Sequence, residues 1–442
     1  MNIINQCQKE NPNISLNNHK TINEPKGLLN INLNCYMNAL LQCLYYIKNL
    51  RDFFINKAQN FKEDKPVCQA LSIIMNGLKN GNDKAIDAKN LKEIMGNKNN
   101  LFNGFKGGDV KDFFINLIDA ILTELSIDKI DKDLENEPNE QFTLIELYKE
   151  KLYNQIKEEI DESNIVNDLF LGYYEVKYLC NQYNININNY SFSTETFILF
   201  NLEKISKYYG KNQFTIEDCF EYNYNRSYET SFHCSLCQKI ERNISEDKIY
   251  IPPKILVIIL DRGKGKSFNG NVSFDNELNL KKYLDIEKEN NKNNKYNSKY
   301  KLISVITHSG TSSSSGHYTA CCLTDNGKYY YFNDQNADEI DNLLNYNGDP
   351  YILFYRGENE NNQQNKHEVN NYDVNNYDMN NYKVKNCDAN NYVFDNCHFN
   401  NYHFNNFVFN NFSHNNYHAN NYDIDIFYDI NYDVNYSQNY NF

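Results

Sequence analysis

The sequence predicts an α+β fold, in which a mostly helical first third is followed by an antiparallel sheet. In segments 37–44 and 113–125, apolar residues recur at three- and four-residue steps, the spacing of one face of a helix. Later segments are short, β-branched and aromatic, and turn-like clusters separate them, as is typical of antiparallel strands: ILVIIL, YKLISVITH, HYTACCLTD, KYYYFND and YILFYR. With 442 residues and 40% hydrophobic content, the chain is long enough to bury a core.

Composition and charge exclude several classes of protein. The formal net charge of −14 argues against nucleic-acid binding, which needs clustered Lys and Arg, and favours a basic protein partner. The polar N-terminal segment has no apolar signal region, and the longest apolar run, at 255–260, is too short to cross a bilayer. We therefore expect a cytoplasmic or nuclear protein without membrane insertion, whose twelve cysteines are ordinarily reduced.

Composition also divides the chain into three segments. Residues 1–25 form a polar extension, residues 26–357 carry the structured signals, and residues 358–442 are rich in Asn and Tyr. In this tail an aromatic residue or a cysteine recurs every five residues from Tyr372 to Tyr422. The spacing resembles that of pentapeptide-repeat proteins, but Tyr and Phe stand where small inward residues are expected. We expect a disordered low-complexity tail, with a β-coil as the alternative.

The segment LNCYMNALLQCL, residues 33–44, places Cys35 and Cys43 on one predicted amphipathic helix. If Asn34 caps that helix, Cys35 lies in its first turn, where backbone N–H groups and the helix dipole stabilise a thiolate. Cys43 lies two turns further along and lacks this stabilisation. From the helix alone, two buried small side chains explain the cysteines equally well.

A cysteine nucleophile needs a base, and the base needs a group that orients it. His317 follows a Ser and Gly run at the start of a predicted strand, and Asn333 and Asp334 end the next strand. Adjacent strand residues point to opposite faces, so we expect only one of Asn333 and Asp334 to contact the imidazole directly. An isolated histidine before a strand would otherwise be read as structural.

Two long blocks resemble those of a known family. GLLNINLNCYMNALLQCL resembles the cysteine box of the ubiquitin-specific proteases, and YKLISVITHSGTSSSSGHYTACCLTDNGKYYYFNDQ resembles their histidine box. The resemblance extends over about residues 27–356, with the blocks in family order. It implies a papain-like cysteine peptidase with a helical thumb, an antiparallel palm sheet and a reduced fingers subdomain. It further implies a thiol-dependent deubiquitinase that needs no cofactor for catalysis and acts on ubiquitin and ubiquitinated proteins.

The resemblance also implies roles for individual residues. By position, Cys35 is the nucleophile, His317 is the general base, and Asn333 is the third member, with Asp334 beside it. Asn30 matches the asparagine of the family's oxyanion hole, where an amide N–H can stabilise a tetrahedral intermediate together with the backbone N–H of Cys35.

The chain departs from the family before the nucleophile, where Asn32, Leu33 and Asn34 replace a Gly-Asn-Thr run. Asn can still replace Gly there, because Asn tolerates a positive φ better than most residues. The departures leave two alternatives open: a catalytically weak or silent homologue that binds ubiquitin, and a peptidase for another ubiquitin-like modifier.

A second block, FKGGDVKDFFINLIDAIL, resembles the family helix whose carboxylates hold the arginines of the Arg-Leu-Arg-Gly-Gly tail of ubiquitin. Asp109 and Asp112 are the matching acids, and Gly108 stands where the family has Gln. Asp109 could equally cap its own helix. The resemblance further implies that Gly316 and Tyr318 form part of the wall of the channel for the Gly-Gly end.

The family often holds a structural zinc with two CxxC pairs in its fingers. This chain has Cys234 and Cys237, but in the earlier pair only Cys180 is present. Loss of one ligand usually abolishes a structural site, so we expect no zinc. The alternative is a site completed by His233 or Cys219.

Overall fold

The structure is a computed structural model. It describes residues 24–104, 107–125, 149, 153–154, 156–157, 160, 164–179, 189–233, 240–263, 268–284, 298–312 and 315–358. The predicted extension falls almost wholly outside these residues, as does the repeated tail, so both predictions stand as expectations. The chain divides into two compact units, the first comprising residues 1–126, 263–267 and 303–353, and the second comprising the rest.

The described part of the first unit begins with five helices, as the early apolar periodicity predicts. They are α1 (Cys35–Tyr45), α2 (Lys48–Asn56), α3 (Pro66–Asn80), α4 (Lys89–Lys98) and α5 (Val110–Leu125). All eleven residues of α1 are buried, because the helix packs against neighbours on several sides. The prediction of an amphipathic helix is therefore wrong for α1.

The polar residues of α1 follow a single stripe. Asn34, Asn38 and Gln42 are spaced four residues apart and are almost fully buried. Their amides donate to backbone carbonyls of the segment before the helix: Asn38 to Leu29 (3.2 Å) and Gln42 to Lys26 (2.9 Å). These hydrogen bonds compensate the lost hydration of the amide nitrogens, whereas Oδ1 of Asn34 and Oε1 of Gln42 are buried without a hydrogen-bond partner among the described residues.

The preceding segment forms strand β1 (Gly27–Leu28), which pairs in parallel with β2 (Ala85–Ile86). The backbone N–H of Leu28 also donates to the carbonyl of Asp334 (2.8 Å). A Cβ on Gly27 would lie 2.3 Å from the backbone of Gln335, so only glycine permits this approach.

The sheet of the first unit is built largely from the predicted strands. Its strands are β12 (Lys299–Ser312), β13 (Ser315–Leu323), β14 (Tyr329–Asn333), β15 (Asn336–Ile340) and β16 (Asp349–Gly357), with β12 and β16 each continuing into the second unit. The order is β15, β14, β13, β12, β16, and the successive pairs from β12 to β15 are antiparallel. This topology places the start of β13 and the end of β14 on neighbouring strands.

The second unit combines short helices with two groups of strands. The helices are α6 (Ile165–Phe170), α7 (Leu202–Tyr209) and α8 (Ile216–Tyr224). The strands are β3 (Gly172–Leu179), β4 (Asn189–Glu195), β5 (Ile198–Asn201), β6 (Gln213–Thr215), β7 (Ser227–His233), β8 (Ile240–Ile251), β9 (Ile255–Asp261), β10 (Asn271–Ser273) and β11 (Glu277–Asn279).

Four of these strands form a separate antiparallel sheet in the order β4, β3, β8, β7. It is the counterpart of the predicted fingers. In contrast, β5 and β9 pair in parallel, so the strand ILVIIL does not belong to a purely antiparallel arrangement. All six residues 255–260 are buried, which explains the continuous apolar run in place of alternation. No helix in the described ranges is long and apolar enough to cross a membrane.

Candidate active site

Cys35 is the first residue of α1 and is 8% exposed. Asn34 occupies the N-cap position, as predicted, but its side chain makes no capping hydrogen bond. The Asn34 amide donates instead to the Leu29 carbonyl (3.4 Å) and to Oδ1 of Asn38 (3.2 Å). The N-cap position is therefore as predicted, but Oδ1 of Asn34, the atom that would accept a backbone N–H of the first turn, is buried without a hydrogen-bond partner among the described residues, so the side chain does not cap α1.

His317 lies on β13, opposite Ser309 of β12. Its Nε2 is 2.7 Å from Oδ1 of Asn333, the last residue of β14. The side chain of Cys35 lies close enough to the imidazole to be the largest influence on its pKa, which hydrogen bonding between the two raises. Since Asn333 engages Nε2, the nitrogen left for the thiol is Nδ1. Cys35, His317 and Asn333 therefore form one continuous line of side chains.

The surroundings of His317 favour its protonated form. The hydrogen bond with Cys35 is the largest influence, and with Asn333 and the charges of Cys35 and Asp334 it outweighs burial, which acts in the opposite direction. The pKa of His317 consequently rises to about 9. Such a ring can serve as the proton carrier for a sulfur nucleophile.

Asp334 begins the two-residue turn between β14 and β15 and adopts a φ of +50°. Its carboxylate accepts hydrogen bonds from Nδ2 of Asn38 (2.8 Å) and from Nδ2 of Asn30 (2.7 Å). Its Oδ2 lies 3.8 Å from Nε2 of His317, beyond hydrogen-bond distance. Asn333 is therefore the one of the pair that contacts the imidazole directly.

Asn38 is a site residue that the sequence reasoning missed. It supplies one of the donors that hold Asp334 in its turn, and the same amide reaches the Leu29 carbonyl. The signal that could have found it is the polar spacing of Asn34, Asn38 and Gln42 on an otherwise apolar helix, which predicts buried hydrogen bonds on one face.

Asn30 is exposed and contacts the loop before Cys35. While its Nδ2 donates to Asp334, its Oδ1 accepts from the backbone N–H of Asn34 (3.2 Å). An amide nitrogen carries two hydrogens, so Asn30 has a second N–H beyond the one bonded to Asp334. The oxyanion role implied by the family resemblance would depend on this second hydrogen.

The loop before Cys35 contains two consecutive left-handed residues, Asn32 at φ +62° and Leu33 at φ +58°. The expectation that Asn32 can adopt a positive φ agrees with this backbone. Leu33 is the unexpected member, because its Cβ makes the left-handed region unfavourable. Its side chain is 57% exposed, so packing in a core does not explain the conformation.

Asp109 makes two hydrogen bonds at the start of α5. Its Oδ1 accepts from the backbone N–H of Lys111 (2.8 Å), so the capping interpretation is correct as far as geometry goes. Its Oδ2 accepts from the hydroxyl of Tyr351 (2.7 Å). Asp109 and Asp112 are both half-buried, and a carboxylate oxygen can accept more than one hydrogen bond.

Gly108 has a steric explanation. A Cβ at this position would lie 2.8 Å from the ring of Tyr36, closer than real Cβ contacts permit. The Tyr36 ring packs edge-on against Phe113 and is fully buried. A glutamine could replace Gly108 only if this ring moved.

Gly316 and Tyr318 flank His317 in different ways. Gly316 is exposed, and a Cβ there would lie 2.4 Å from the Ser309 carbonyl and 2.5 Å from Nε2 of His308. The Tyr318 side chain is only 2% exposed and packs edge-on against Tyr351. Only the main chain of Tyr318 is therefore available to line a channel.

The predicted zinc ligands Cys180, Cys234 and Cys237 lie outside the described residues. The possible fourth ligand Cys219 is buried in α8. Within the part of the chain that the structure describes, no three His, Cys, Asp or Glu side chains are grouped so that they could hold a metal. The expectation about zinc stays a prediction.

Solved structures share the fold. A chain in the structure of the SAGA Ubp8/Sgf11/Sus1/Sgf73 DUB module bound to ubiquitin aldehyde matches with a TM-score of 0.58 at 20% identity, covering 76% of this chain and 70% of that chain. A structure of the same SAGA DUB module, carrying a Ubp8 variant and bound to monoubiquitin, matches with a TM-score of 0.56 at 19% identity, covering 76% of this chain and 69% of that chain. The predicted α+β papain-like fold class is confirmed.

Curated relatives point to the same family. Ubiquitin carboxyl-terminal hydrolase 17-like protein B of Mus musculus is 24% identical over 342 residues, 76% of this chain and 64% of that protein. Ubiquitin carboxyl-terminal hydrolase 36 of Drosophila grimshawi is 24% identical over 341 residues, 74% of this chain but 25% of that protein. The chain thus spans less than two thirds of the length of these relatives. The family model described as ubiquitin carboxyl-terminal hydrolase matches residues 26–355, so the chain belongs to that family.

Proposed function

We propose that this protein is a thiol-dependent deubiquitinase, which hydrolyses the isopeptide or peptide bond at the C-terminal glycine of ubiquitin. The observation that carries the proposal is the line of Cys35, His317 and Asn333 in a member of the ubiquitin carboxyl-terminal hydrolase family. Two similar structures are described as bound to ubiquitin aldehyde or monoubiquitin, which supports ubiquitin and ubiquitinated proteins as partners. The catalytic domain would span residues 26–357.

In the acylation step, His317 takes the proton of the Cys35 thiol, and Sγ attacks the carbonyl carbon of the terminal glycine of ubiquitin. A C–S bond forms, and the carbonyl electron pair moves onto oxygen. The backbone N–H of Cys35 and the second N–H of Asn30 would stabilise this oxyanion. His317 then gives its proton to the leaving amine, the C–N bond breaks, and an acyl-enzyme remains.

In the deacylation step, neutral His317 takes a proton from a water molecule as the oxygen attacks the thioester carbon. The C–S bond breaks, ubiquitin leaves with its C-terminal carboxyl group free, and the proton on His317 passes to the sulfur and restores the thiol. Asn333 holds Nε2 throughout, so the ring keeps the orientation that both proton transfers need. No step requires a cofactor.

Recognition of the substrate tail is assigned to α5. Asp109 and Asp112 lie at the start of this helix, where their charge can pair with the tail arginines. The Tyr351 hydroxyl fixes the Asp109 carboxylate from one side, which would orient it before the substrate arrives. Gly316 and the main chain of Tyr318 would line the passage for the Gly-Gly end.

A ubiquitin carrying a C-terminal electrophile tests the proposal. The protein should form a covalent adduct whose mass equals the sum of both components, and peptide mapping should locate the modification at Cys35. Cys35→Ala should form no adduct but should still bind ubiquitin. Adduct formation at Cys43, or none in the folded wild type, would contradict the proposal.

A second candidate is a weak or silent homologue that binds ubiquitin. The observation that favours it is the hydrogen bond from Asn30 to Asp334, which engages the amide assigned to the oxyanion. Such a protein would bind ubiquitin and accept the electrophile, yet turn over a ubiquitin amide very slowly. Parallel assays with other ubiquitin-like modifiers would reveal a peptidase of different specificity.

A further inference from the structure

Lys92 is a buried lysine beside the nucleophile's loop. It lies on α4, is only 5% exposed, and its Nζ donates to the backbone carbonyl of Asn32. Its ammonium also lies 6.0 Å from the centroid of the Tyr36 ring. Burying an ammonium is unfavourable unless hydrogen bonds or charges compensate it, so this placement is informative.

The acceptor of this hydrogen bond belongs to the left-handed turn. Asn32 and Leu33 both have positive φ, and Leu33 resists that conformation while its side chain is largely exposed. The surrounding backbone contacts therefore have to hold the turn. Hydrogen bonds flank the turn on both sides. Nζ of Lys92 donates to the Asn32 carbonyl, and the backbone N–H of Asn34 donates to Oδ1 of Asn30.

We infer that Lys92 is a positioning residue for the nucleophile. By holding the carbonyl of Asn32, it fixes the left-handed turn, and the turn sets the direction in which α1 begins and Cys35 faces His317. The inference rests on the proposed role of Cys35.

Burial lowers the pKa of Lys92, and a negative charge on Cys35 opposes this effect only in part. The ammonium of Lys92 and the sulfur of Cys35 therefore interact electrostatically. Cys35 also influences the pKa of His317, Tyr36 and Tyr318. In addition to this electrostatic interaction, Lys92 donates directly to the loop before Cys35.

Substitution of Lys92 should slow chemistry more than it weakens substrate binding. Lys92→Met removes the donor and the charge but keeps a flexible apolar stem of similar length. We expect about a tenfold lower kcat for a ubiquitin C-terminal amide fluorophore, equivalent to ~1.4 kcal/mol, with KM within about twofold. KM should hold because the proposed tail contacts lie on α5.

A rescue variant separates the turn from a general structural role. Glycine adopts a positive φ without strain, so Leu33→Gly in the Lys92→Met background should restore most of the lost kcat. Lys92→Arg, which keeps a charged donor, should retain more activity than Lys92→Met. Lys89→Met is the matched control, since Lys89 lies on the same helix, is exposed and pairs only loosely with Glu93 (3.6 Å).

Alkylation of Cys35 by iodoacetamide gives a readout that does not depend on ubiquitin. The rate between pH 6 and pH 10 should fall about tenfold in Lys92→Met and should be unchanged in Lys89→Met, at equal helical content by circular dichroism. This holds even if ubiquitin proves not to be the substrate, so failure of the inference and failure of the proposed function are distinguishable.

A wild-type alkylation rate and a wild-type kcat in folded Lys92→Met would overturn the inference, as would a Leu33→Gly change that rescues nothing. If Lys92→Met does not fold, Lys92→Gln replaces it, because an amide is easier to bury than an ammonium, whereas its shorter and uncharged side chain cannot reproduce the Lys92 donor. That variant should lose at least about threefold in alkylation rate, and an unchanged rate would equally reject the role of Lys92.

Discussion

Removal of the Asn333 side chain should impair the proton chemistry of His317. Asn333→Ala deletes the Oδ1 that lies 2.7 Å from Nε2. A hydrogen bond to a charged group contributes roughly 1.5–3 kcal/mol, equivalent to about a 10- to 150-fold loss in kcat/KM. Because the His317 side chain is 39% exposed, water can partly replace the lost acceptor, and we expect a loss near the lower end.

The pH dependence of catalysis should show in which direction the pKa of His317 changes in Asn333→Ala. Asn333 is among the groups that raise the pKa of His317 to about 9, so its removal should lower that pKa. The alkaline limb of the rate profile, where the imidazolium is lost, should therefore move to lower pH. Stability linked to this proton is fully present below the unfolded value of 6.5 and is lost as pH rises through about 9, so the variant should lose it earlier.

The assay is kcat/KM for a ubiquitin C-terminal fluorophore from pH 5 to pH 10, together with the alkylation rate of Cys35. Asn336→Ala is the matched control, since Asn336 faces Asn333 across the β14–β15 turn and is exposed. An unchanged profile and rate in Asn333→Ala would refute the orientation argument. An equal loss in Asn336→Ala would show that the turn, and not the contact with His317, matters.

Three further predictions concern the nucleophile, the turn and the substrate. Cys35→Ala should abolish hydrolysis but keep ubiquitin binding, and wild-type turnover would contradict this prediction. The pKa of His317 should fall from about 9 toward 6.5 in an NMR titration of this variant, because Cys35 is the largest influence on that pKa. Asn38→Leu should lower the free energy of unfolding by roughly 1–3 kcal/mol in urea, since Asp334 loses a donor, whereas unchanged stability would mean that water replaces it. Asp109→Asn should weaken cleavage of ubiquitin by roughly 1.5–3 kcal/mol, while the cap on the Lys111 N–H survives. A ubiquitin whose tail arginine is replaced by a neutral residue should show a non-additive loss when combined with this variant. Strictly additive losses would mean that Asp109 is only a helix cap.

Much of the fold could be predicted from periodicity. The three- and four-residue spacing located α1 and α5, and the β-branched segments located β12, β13, β14 and β16. The surroundings of each element were not predictable in this way. Helix α1 carries enough apolar residues for one buried face, yet it is buried all round, because helices and the sheet pack on several of its sides.

The candidate site likewise has features that could be predicted from the sequence and features that depend on the tertiary structure. The resemblance to the ubiquitin-specific proteases implied the roles of Cys35, His317 and Asn333 by position, and the strand ends predicted that Asn333 and Asp334 would differ in their contact with the imidazole. Which of them makes the contact depends on the turn between β14 and β15, where a positive φ directs the Asp334 carboxylate toward Asn30 and Asn38.

The sequence by itself determined the types of the proposed catalytic groups and the elements that carry them, because hydrophobic spacing and residue chemistry are local properties. Only the tertiary structure decided how these groups are supported. The donors of Asp334 come from residues about 300 positions earlier, and Lys92 meets Asn32 from another helix, 60 positions away. Nothing in the local pattern around Lys92 distinguishes it from an exposed lysine. Such contacts depend on how distant segments pack together, and a one-dimensional pattern carries no measure of that distance.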